Sequence, residues 1–309
     1  MVNVDLRLLM LFEEVYRCRN LSRAAESLEL TQPAVSLALS RLRQHFGDPL
    51  FVRTARGMEP TPHAEALKPL VVSAISSLQA TIDFRMEFDP ARSTGTFRVS
   101  MSDVGQIVLL PDLLNVLGRQ APHVRVDVST ITEVTPAALE SGDQDVAVGF
   151  MPYIDDRFYQ QVLFEENFVC LARADHPRVR RALSLSRYEK ELHVAVKTSG
   201  TGHLVVEKTV QALGVKRRLV VEIPNFIGLA TVVCATDYLC TLPLRAGRIL
   251  AHGTGVRLHK PPFDIPSYQV KMHWHERRHH DPGHAWLRGV ISDLYLKRGI
   301  KGSAGRAEI

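Results

Sequence analysis

The chain has 309 residues, of which 45% are hydrophobic, and it carries a formal net charge of +5 at pH 7. This length gives room for more than one domain with its own core, and no apolar run reaches the roughly 20 residues that a membrane-spanning helix needs. Acidic residues interrupt the first apolar stretch, which is untypical of a signal peptide. Composition therefore argues against a membrane protein and predicts a cytoplasmic one.

The first part of the chain has the pattern of a helix-turn-helix. Residues 5–17 predict an amphipathic helix, and two shorter helices follow within residues 21–46, with Ser22 as the predicted cap of the second helix and Thr31 and Pro33 opening the third. Apolar side chains at helical spacing predict the buried face of the third helix: Val35, Leu39, Leu42 and Phe46. Amide, hydroxyl and guanidinium side chains occupy another face, at Gln32, Ser36, Ser40 and Arg43. Such side chains suit a helix that lies in the major groove of DNA.

A short hairpin is predicted directly after these helices. Gly47, Asp48 and Pro49 end the third helix, an apolar strand begins at Leu50, a turn falls at Arg56–Gly57, and Pro60 stops the return strand. Arginines near the tip of such a wing suit phosphates or a minor groove. Residues 1–60 are therefore predicted to form a winged helix-turn-helix that binds DNA.

A long helix is predicted from His63 to about Phe88. A near-heptad stripe runs along it, formed by Leu67, Val71, Ala74, Leu78 and Ile82. A single helix with such a stripe favours pairing with its twin in a second subunit, and the alternative is packing against its own chain. Residues 61–94 are accordingly interpreted as a linker and dimerisation helix followed by a hinge.

From residue 95 onward, short apolar strands alternate with helical segments. This alternation predicts parallel α/β sheets in two lobes, one made of residues 95–165 and 268–300 and the other of residues 166–267. A cleft between two such lobes favours a small-molecule site. The tail from Gly299 is predicted to be disordered.

The segment SRAAESLELTQPAVSLALSRLRQHFGDPLFVRTARGMEPTP closely resembles the LysR-type transcriptional regulators, and the remainder matches them in layout. The fragments MSDVG, DVAVG, VCLARADHP, GTGH and HDPGHAWLR are similar to the branch that responds to salicylate-like aromatic acids and, more distantly, to the nodulation regulators. The resemblance implies a periplasmic-binding-protein-like effector domain that holds a small inducer. It also implies a homodimer or homotetramer, promoter DNA and RNA polymerase as partners, and no cofactor.

The resemblance also carries over a set of DNA contacts. It places Gln32, Pro33, Ser36 and Arg43 at or near base edges, and Ser22, Arg23 and Arg41 at positions that suit phosphates. Arg53 and Arg56 match the family's wing arginines. The chemistry agrees, because an amide pairs with adenine, a guanidinium pairs with guanine, and phosphate contacts supply salt-dependent affinity. The alternative for each of these residues is an ordinary solvated side chain.

Two glycine-containing loops predict the inducer site. Residues 102–105 and 200–203 each lead into a helix whose free N–H groups suit a carboxylate, and an ordinary glycine turn is the alternative for the second loop. Ser102, Thr201 and His203 are the expected hydrogen-bond donors. The rest of the predicted lining is Asp103, Val104, Asn167, Gly202, Asn225, Phe226 and His273. Asn167 stands where the salicylate-responsive branch has a histidine and His273 where it has a phenylalanine, which leaves a different acid open.

Other chemistries find less support. The histidines between residues 273 and 284 lack a cysteine or carboxylate group that would complete a metal site. No catalytic arrangement is apparent, so we expect no enzyme. The four cysteines are expected to be reduced, with Cys234 and Cys240 buried. The sequence predicts an activator, with two alternatives: a LysR-type repressor with a non-aromatic ligand, and a cytoplasmic solute-binding module.

Overall fold

The computed structural model describes residues 4–180 and 182–302, with side chains described as far as residue 295. The chain divides into two compact units, Met1–Arg85 and Met86–Ile309. Among the described residues, no helix combines the length and the apolar character needed to cross a bilayer.

Three helices begin unit one: α1 (Leu6–Cys18), α2 (Leu21–Ser27) and α3 (Gln32–Phe46). Thr31 caps α3, and Pro33 lies in its first turn, as predicted. The predicted cap of α2 is wrong. The Asn20 side chain, rather than Ser22, accepts hydrogen bonds from the backbone N–H groups of Ser22 and Arg23, because the helix begins two residues earlier than a cap at Ser22 would place it.

The core of unit one contains the predicted face of α3. Val35, Leu39 and Leu42 are buried and Phe46 is partly buried, and they pack in one cluster with residues such as Phe12 of α1. The opposite side of α3 is left on the surface, where a partner can meet it.

The wing consists of β1 (Phe51–Thr54) and β2 (Gly57–Pro60), paired antiparallel. The turn falls at residues 55–56, one position before the predicted one. Gly57 has a φ of +113°, and a Cβ there would lie 2.6 Å from the carbonyl oxygen of Arg19. Only glycine fits this close approach, and the Met58 N–H donates to the same carbonyl at 2.8 Å. The wing is thereby anchored to the α1–α2 junction.

Helix α4 spans Pro62–Ile82, so it ends six residues before the predicted end at Phe88. The predicted stripe divides into two halves. Val71 is buried in the core of unit one, whereas Leu78 and Ile82 are 42% and 59% exposed. The first half of the helix therefore packs on its own chain, and the second half presents apolar side chains at the surface.

Unit two continues with eight helices and ten strands within the described residues. In chain order they are β3 (Thr96–Met101), α5 (Asp103–Val108), α6 (Leu110–Gln120), β4 (Arg125–Ser129), α7 (Thr135–Ser141), β5 (Val146–Gly149), β6 (Phe158–Glu166), β7 (Phe168–Arg173), α8 (Leu185–Lys190), β8 (Leu192–Val196), α9 (His203–Ala212), β9 (Arg218–Ile223), α10 (Leu229–Ala235), β10 (Tyr238–Pro243), α11 (Leu244–Ala251), β11 (Val256–His259), β12 (Tyr268–His275) and α12 (Pro282–Gly302). The sequence pattern did not predict β6, α8, α11 and β11.

These strands form two five-stranded sheets, with the orders β4-β3-β5-β12-β6 and β11-β7-β10-β8-β9. The prediction of parallel sheets is correct for β3, β4 and β5 and for β8, β9 and β10. It is wrong for β12 and β7, which pair antiparallel with their neighbours. Both sheets are therefore mixed.

The chain passes between the lobes twice, at the β6–β7 junction and between β11 and β12. Strand β12 then returns to the first sheet, and α12 packs on that sheet through Leu287, Ile291 and Tyr295. The helix continues to Gly302, beyond the predicted start of the disordered tail at Gly299, and residues 303–309 lie outside the described residues.

Two of the cysteines test the expectation of buried thiols. Cys240 is buried as predicted, in the core of the second lobe. Cys234 is exposed, so that prediction is wrong. Its helix, α10, packs through Leu229 and Val233, and the next residue along the chain points away from that face.

Candidate functional site

Most of the predicted DNA-contacting side chains lie on the surface of unit one. Exposed positions are Ser22, Arg23, Gln32, Pro33, Arg41, Arg53 and Arg56, and Ser36 is half-buried. The Gln32 amide lies near the Ser36 hydroxyl, with Nε2 and Oγ 3.4 Å apart. A solvated amide beside a hydroxyl at the start of α3 can exchange these contacts for a base edge.

Three of these residues share a polar concavity, which we call the wing hollow. Ser22, Gln32 and Arg53 line it together with Arg19 and Thr54, and its volume is about 370 Å³. Arg23, Arg41 and Arg56 do not line it. The hollow lies between the start of α3 and the wing, so a sugar-phosphate strand can enter it while α3 meets the bases.

Arg19 is a basic residue of the wing hollow that the sequence analysis missed. Its guanidinium lies 3.1 Å from Glu59 Oε2 and 4.5 Å from the centre of the Tyr16 ring. It falls in the link between α1 and α2, outside the segment that carries the helix-turn-helix pattern. Only the approach of the wing to this link makes it a candidate phosphate contact.

Arg43 makes contacts with the wing that the sequence analysis did not predict. Its Nε donates to the carbonyl oxygen of Pro49 at 2.7 Å, and its Nη2 donates to that of Phe51 at 2.8 Å. These carbonyls belong to the turn that leads into the wing. In this arrangement the guanidinium holds the wing against the end of α3, and its contact with a base stays a prediction.

In unit two, the predicted loops 102–105 and 200–203 lie together at the contact between the lobes, where a Cβ on Gly200 would lie 3.4 Å from Ser102 Cβ. The Phe150 N–H donates to the Gly200 carbonyl at 2.9 Å. A Cβ on Gly149 would lie 2.6 Å from Ile131 Cδ1 and 2.9 Å from the Gly200 oxygen. Backbones can approach so closely only because both positions are glycine.

A small enclosed space, the interlobe cavity, remains beside this contact. Ser102, Val104, Thr201, Glu166 and Tyr268 are among its lining residues, and its volume is about 30 Å³. That volume corresponds to about one water molecule. The lobes are therefore closed on each other, and an aromatic acid fits there only after they separate.

The hydroxyls that were expected to donate to an inducer already have backbone partners. Ser102 Oγ accepts the Gly105 N–H at 3.1 Å and caps α5, and Thr201 Oγ1 donates to the Thr198 carbonyl at 2.9 Å. Thr201 Oγ1 also lies 3.3 Å from His203 Nδ1. His203 is half-buried, and burial lowers the pKa of its imidazole.

Several predicted lining residues instead hold the lobes together. The Phe226 N–H donates to Asp103 Oδ2, which joins the second lobe to the first. Val104 and Phe226 are buried in the core of the second lobe, and Asn225 Oδ1 accepts the Ile227 N–H at 3.1 Å. Phe226 and Asn225 therefore stabilise a turn and a core, and neither lines the interlobe cavity.

Three further predicted residues lie elsewhere. Asn167 is exposed and does not line the interlobe cavity, because it occupies the crossover between β6 and β7. Gly202 lies under Tyr268, where a Cβ would come within 2.3 Å of the ring. His273 is buried on β12 and lines a separate hollow, which also contains Lys271.

Glu166 is the main feature of the interlobe cavity that the sequence analysis missed. Its side chain is 4% exposed, with Oε2 3.7 Å from Arg245 Nε and Oε1 accepting the Asn167 N–H at 3.0 Å. Burial raises the pKa of this carboxyl to about 7, although Arg245 opposes the shift. Glu166 is the register partner of Tyr268 on β12, so a carboxyl and a phenol share this wall.

Comparisons with known proteins agree with this architecture. The model of the bacterial regulatory helix-turn-helix protein, lysR family, matches residues 6–65, and the LysR substrate binding domain matches residues 90–295. The HTH-type transcriptional activator NahR of Pseudomonas putida is 38% identical over 296 residues, covering 95% of this chain and 98% of that protein. Nodulation protein D 1 of Bradyrhizobium sp. (strain NC92) is 31% identical, covering 93% of this chain and 92% of that protein.

Solved structures show the same fold. The crystal structure of the probable transcriptional regulator PA0477 from Pseudomonas aeruginosa is similar with a TM-score of 0.61 and 34% identity, covering 93% of this chain and 96% of that one. The predicted fold class, a winged helix-turn-helix followed by a two-lobed α/β effector domain, is thus confirmed. The chain belongs to the LysR family of bacterial regulatory helix-turn-helix proteins.

Proposed function

We propose that this protein is a transcriptional activator of an operon for aromatic-compound metabolism, which binds promoter DNA and is switched by a small aromatic acid. It acts as a homodimer or homotetramer and works with RNA polymerase. The observation that carries DNA binding is the wing hollow, where Gln32 of α3 and Arg53 of the wing line one concave surface. The relative NahR, which carries the name of an activator, supports the sign of regulation.

The proposed division of labour follows from the chemistry of the side chains. Gln32 has an amide that can pair with both the N6 and N7 atoms of an adenine. Arg19 and Arg53 supply positive charge at the hollow, where phosphates release their counterions on binding. Gln32 therefore contributes sequence preference, and the two arginines contribute affinity that falls as the salt concentration rises.

The proposed switch is the contact between the lobes. The Phe150–Gly200 backbone hydrogen bond and the Asp103–Phe226 bond hold the lobes in one arrangement. A ligand changes that arrangement only if it binds one state better than the other. An acid that binds better when the lobes are apart therefore changes the conformation of the effector unit. Through that change it alters the complex with DNA.

One observation favours a second candidate, a LysR-type regulator or repressor with a non-aromatic ligand. The interlobe cavity is small and carries the Glu166 carboxyl. A second carboxylate beside it would experience like-charge repulsion. A small ligand that donates a hydrogen bond to Glu166 would fit the chemistry of this cavity better than an acid.

The test is DNase footprinting of the purified protein on the DNA upstream of its own gene, with and without a panel of aromatic acids. We expect a protected region that shortens or changes its hypersensitive bands with one acid. Protection that no acid alters would support DNA binding and favour the second candidate, a regulator with a non-aromatic ligand. Absence of any protection would contradict the proposed function.

A matched pair of variants tests the wing hollow. Gln32→Ala removes an amide at the start of α3, and Gln44→Ala removes the same group at an exposed position near its end. A lost base contact costs about 1–3 kcal/mol, so Gln32→Ala should reduce the preference for the specific site over unrelated DNA. Equal effects of the two substitutions would argue against Gln32 as a base contact.

A further inference from the structure

Two cations of unit one lie against a single aromatic ring, and we call this arrangement the Tyr16 platform. The guanidinium carbon of Arg19 lies 4.5 Å from the centre of the Tyr16 ring, and the amine of Lys68 lies 4.4 Å from it. A cation within about 6 Å of a ring centre is attracted by the negative face of the ring. One aromatic side chain of α1 therefore gathers positive charge from the α1–α2 link and from α4.

The core of unit one fixes the position of the Tyr16 ring. Tyr16 packs partly buried against the residues that form this core, and its ring centre lies 6.2 Å from those of Phe12 of α1 and Phe51 of β1. The contact with Phe51 is edge to face, which is a favourable geometry for an aromatic pair. Because Phe51 begins the wing, the ring that carries the two cations also contacts the base of the wing.

Arg19 occupies a backbone position where glycine would be less strained. It follows α1 in the left-handed region, with a φ of 50° and a ψ of 21°, which glycine or asparagine adopts most readily. Strained residues cluster at functional sites, and the guanidinium is the group that glycine could not supply. Its ion pair with Glu59 is part-exposed, at 3.1 Å, and such pairs are weak. Because a guanidinium has five N–H donors, it can also bind a phosphate.

Lys68 contributes a second charge, and no carboxylate in the part of the chain that the structure describes forms an ion pair with it. Lys68 is exposed on α4, and the neighbouring Leu67 packs against the core of unit one, so this turn of the helix lies close to α1. Since each cation lies within 4.5 Å of one ring centre, the two are closer together than the Debye length of about 10 Å at 0.1 M salt, and they repel each other. An anion that contacts both cations relieves this repulsion.

We propose that the Tyr16 platform binds a phosphate of the DNA backbone, with Arg19 and Lys68 in contact with the phosphate and Tyr16 as the positioning residue. Arg19 also lines the wing hollow, whereas Tyr16 and Lys68 do not, so the platform extends the phosphate contact from the hollow to α4. This continuity favours DNA over an acidic protein as the partner. The inference rests on the proposed function in that the phosphate belongs to promoter DNA, and it adds the linker helix to the DNA-binding surface.

The test is the salt dependence of DNA binding by the full chain, measured by fluorescence anisotropy with its upstream DNA and with an unrelated duplex. Each lost phosphate contact reduces the slope of log affinity against log salt by about 0.9. The loss of affinity between about 50 and 200 mM salt should therefore be about 3-fold smaller in Lys68→Met for each bound subunit. Both duplexes should respond alike, because phosphate contacts carry no sequence information. Lys190→Met, which removes the same charge at an exposed position of unit two, is the control and should keep the wild-type slope.

Two substitutions at Tyr16 separate its positioning role from a role in folding. Tyr16→Phe keeps the ring that attracts the cations, so it should retain the wild-type salt slope. Tyr16→Leu keeps an apolar side chain in the core but removes the ring, and its slope should fall at least as much as that of Lys68→Met, since Arg19 loses the same support. Adding Lys68→Met to Tyr16→Leu should then change the slope little. Because Lys68 is exposed, Lys68→Met tests the platform even if Tyr16→Leu fails to fold.

Three results would overturn the inference and leave the DNA-binding function intact. The first is an unchanged salt slope in Lys68→Met, and the second is an equal fall in Lys68→Met and Lys190→Met, which would show a general effect of net charge. The third is a fall in Tyr16→Phe as large as that in Tyr16→Leu, because the ring would then not position the cations. Absence of DNA binding by the wild type would instead contradict the proposed function itself.

Discussion

The buried carboxyl of Glu166 makes a prediction about how stability depends on pH. Burial raises its pKa from 4.5 to about 7 in the folded chain. Between these two values the folded state holds a proton that the unfolded state has released, so the free energy of unfolding falls as the pH rises through this window. The difference between the two pKa values corresponds to about 3 kcal/mol, which is fully lost above pH 8.

Glu166→Gln should remove this penalty. The glutamine oxygen can still accept the Asn167 N–H, and the side chain has nearly the same shape but cannot ionise. We expect the variant and the wild type to be about equally stable near pH 4, and the variant to be more stable by about 3 kcal/mol at pH 8. Urea unfolding followed by circular dichroism, repeated at intervals from pH 4 to pH 8, measures the difference.

The difference between the two proteins isolates the effect of Glu166 from other titrating groups. Burial lowers the pKa of His193 and of His273 to about 4, which makes the chain less stable as the pH falls below 6.5, but this contribution is the same in both proteins. Glu165→Gln, at the exposed neighbour on β6, is the control and should show no such trend. A constant difference between Glu166→Gln and wild type from pH 4 to pH 8 would refute the reasoning.

Three other predictions follow from the contacts described above. Arg43→Ala should destabilise unit one by about 1–2 kcal/mol, because two wing carbonyls lose their charged donor, whereas Arg41→Ala at an exposed position should not; equal unfolding midpoints in urea would contradict this role. Replacing both Leu78 and Ile82 with serine should weaken self-association, since these exposed side chains are the proposed subunit contact of α4; sedimentation velocity that shows an unchanged oligomer would remove that assignment. Gly149→Ala should separate the lobes at their backbone contact, because the added methyl group has no room there. Faster hydrogen exchange of the amide that bridges the lobes is the expected result, and unaltered exchange would show that the contact tolerates the methyl group.

The helix-turn-helix could be predicted from the sequence because its pattern depends on residues that are close together in the chain. The buried face of α3 and the cap at Thr31 depend on neighbours within one or two helical turns. Local reasoning does not reach contacts that a distant segment supplies. The Arg43 side chain shares the spacing of Gln32, yet it turns to the wing because the hairpin places two carbonyls within its reach.

Strand β6 shows why part of the effector unit was missed. Its sequence, FYQQVLFEE, alternates only weakly between apolar and polar residues, because it is an edge strand with one partner, β12. Helices α8 and α11 have only six and eight residues, too few to show a clear helical period. Because β6 was not predicted, its antiparallel pairing with β12 had no signal in the sequence, and the prediction of parallel sheets was the natural consequence.

The sequence by itself determined the family, the order of the domains and the two glycine loops that meet between the lobes. Only the tertiary structure decided what surrounds those loops. Glu166 and Tyr268 lie far apart in the chain and become neighbours through the register of β6 and β12, and Lys271 and His273 face a hollow whose other walls come from β5 and α9. Local patterns specify elements because they reflect neighbours along the chain, whereas a binding site depends on which distant strands pair and in which register.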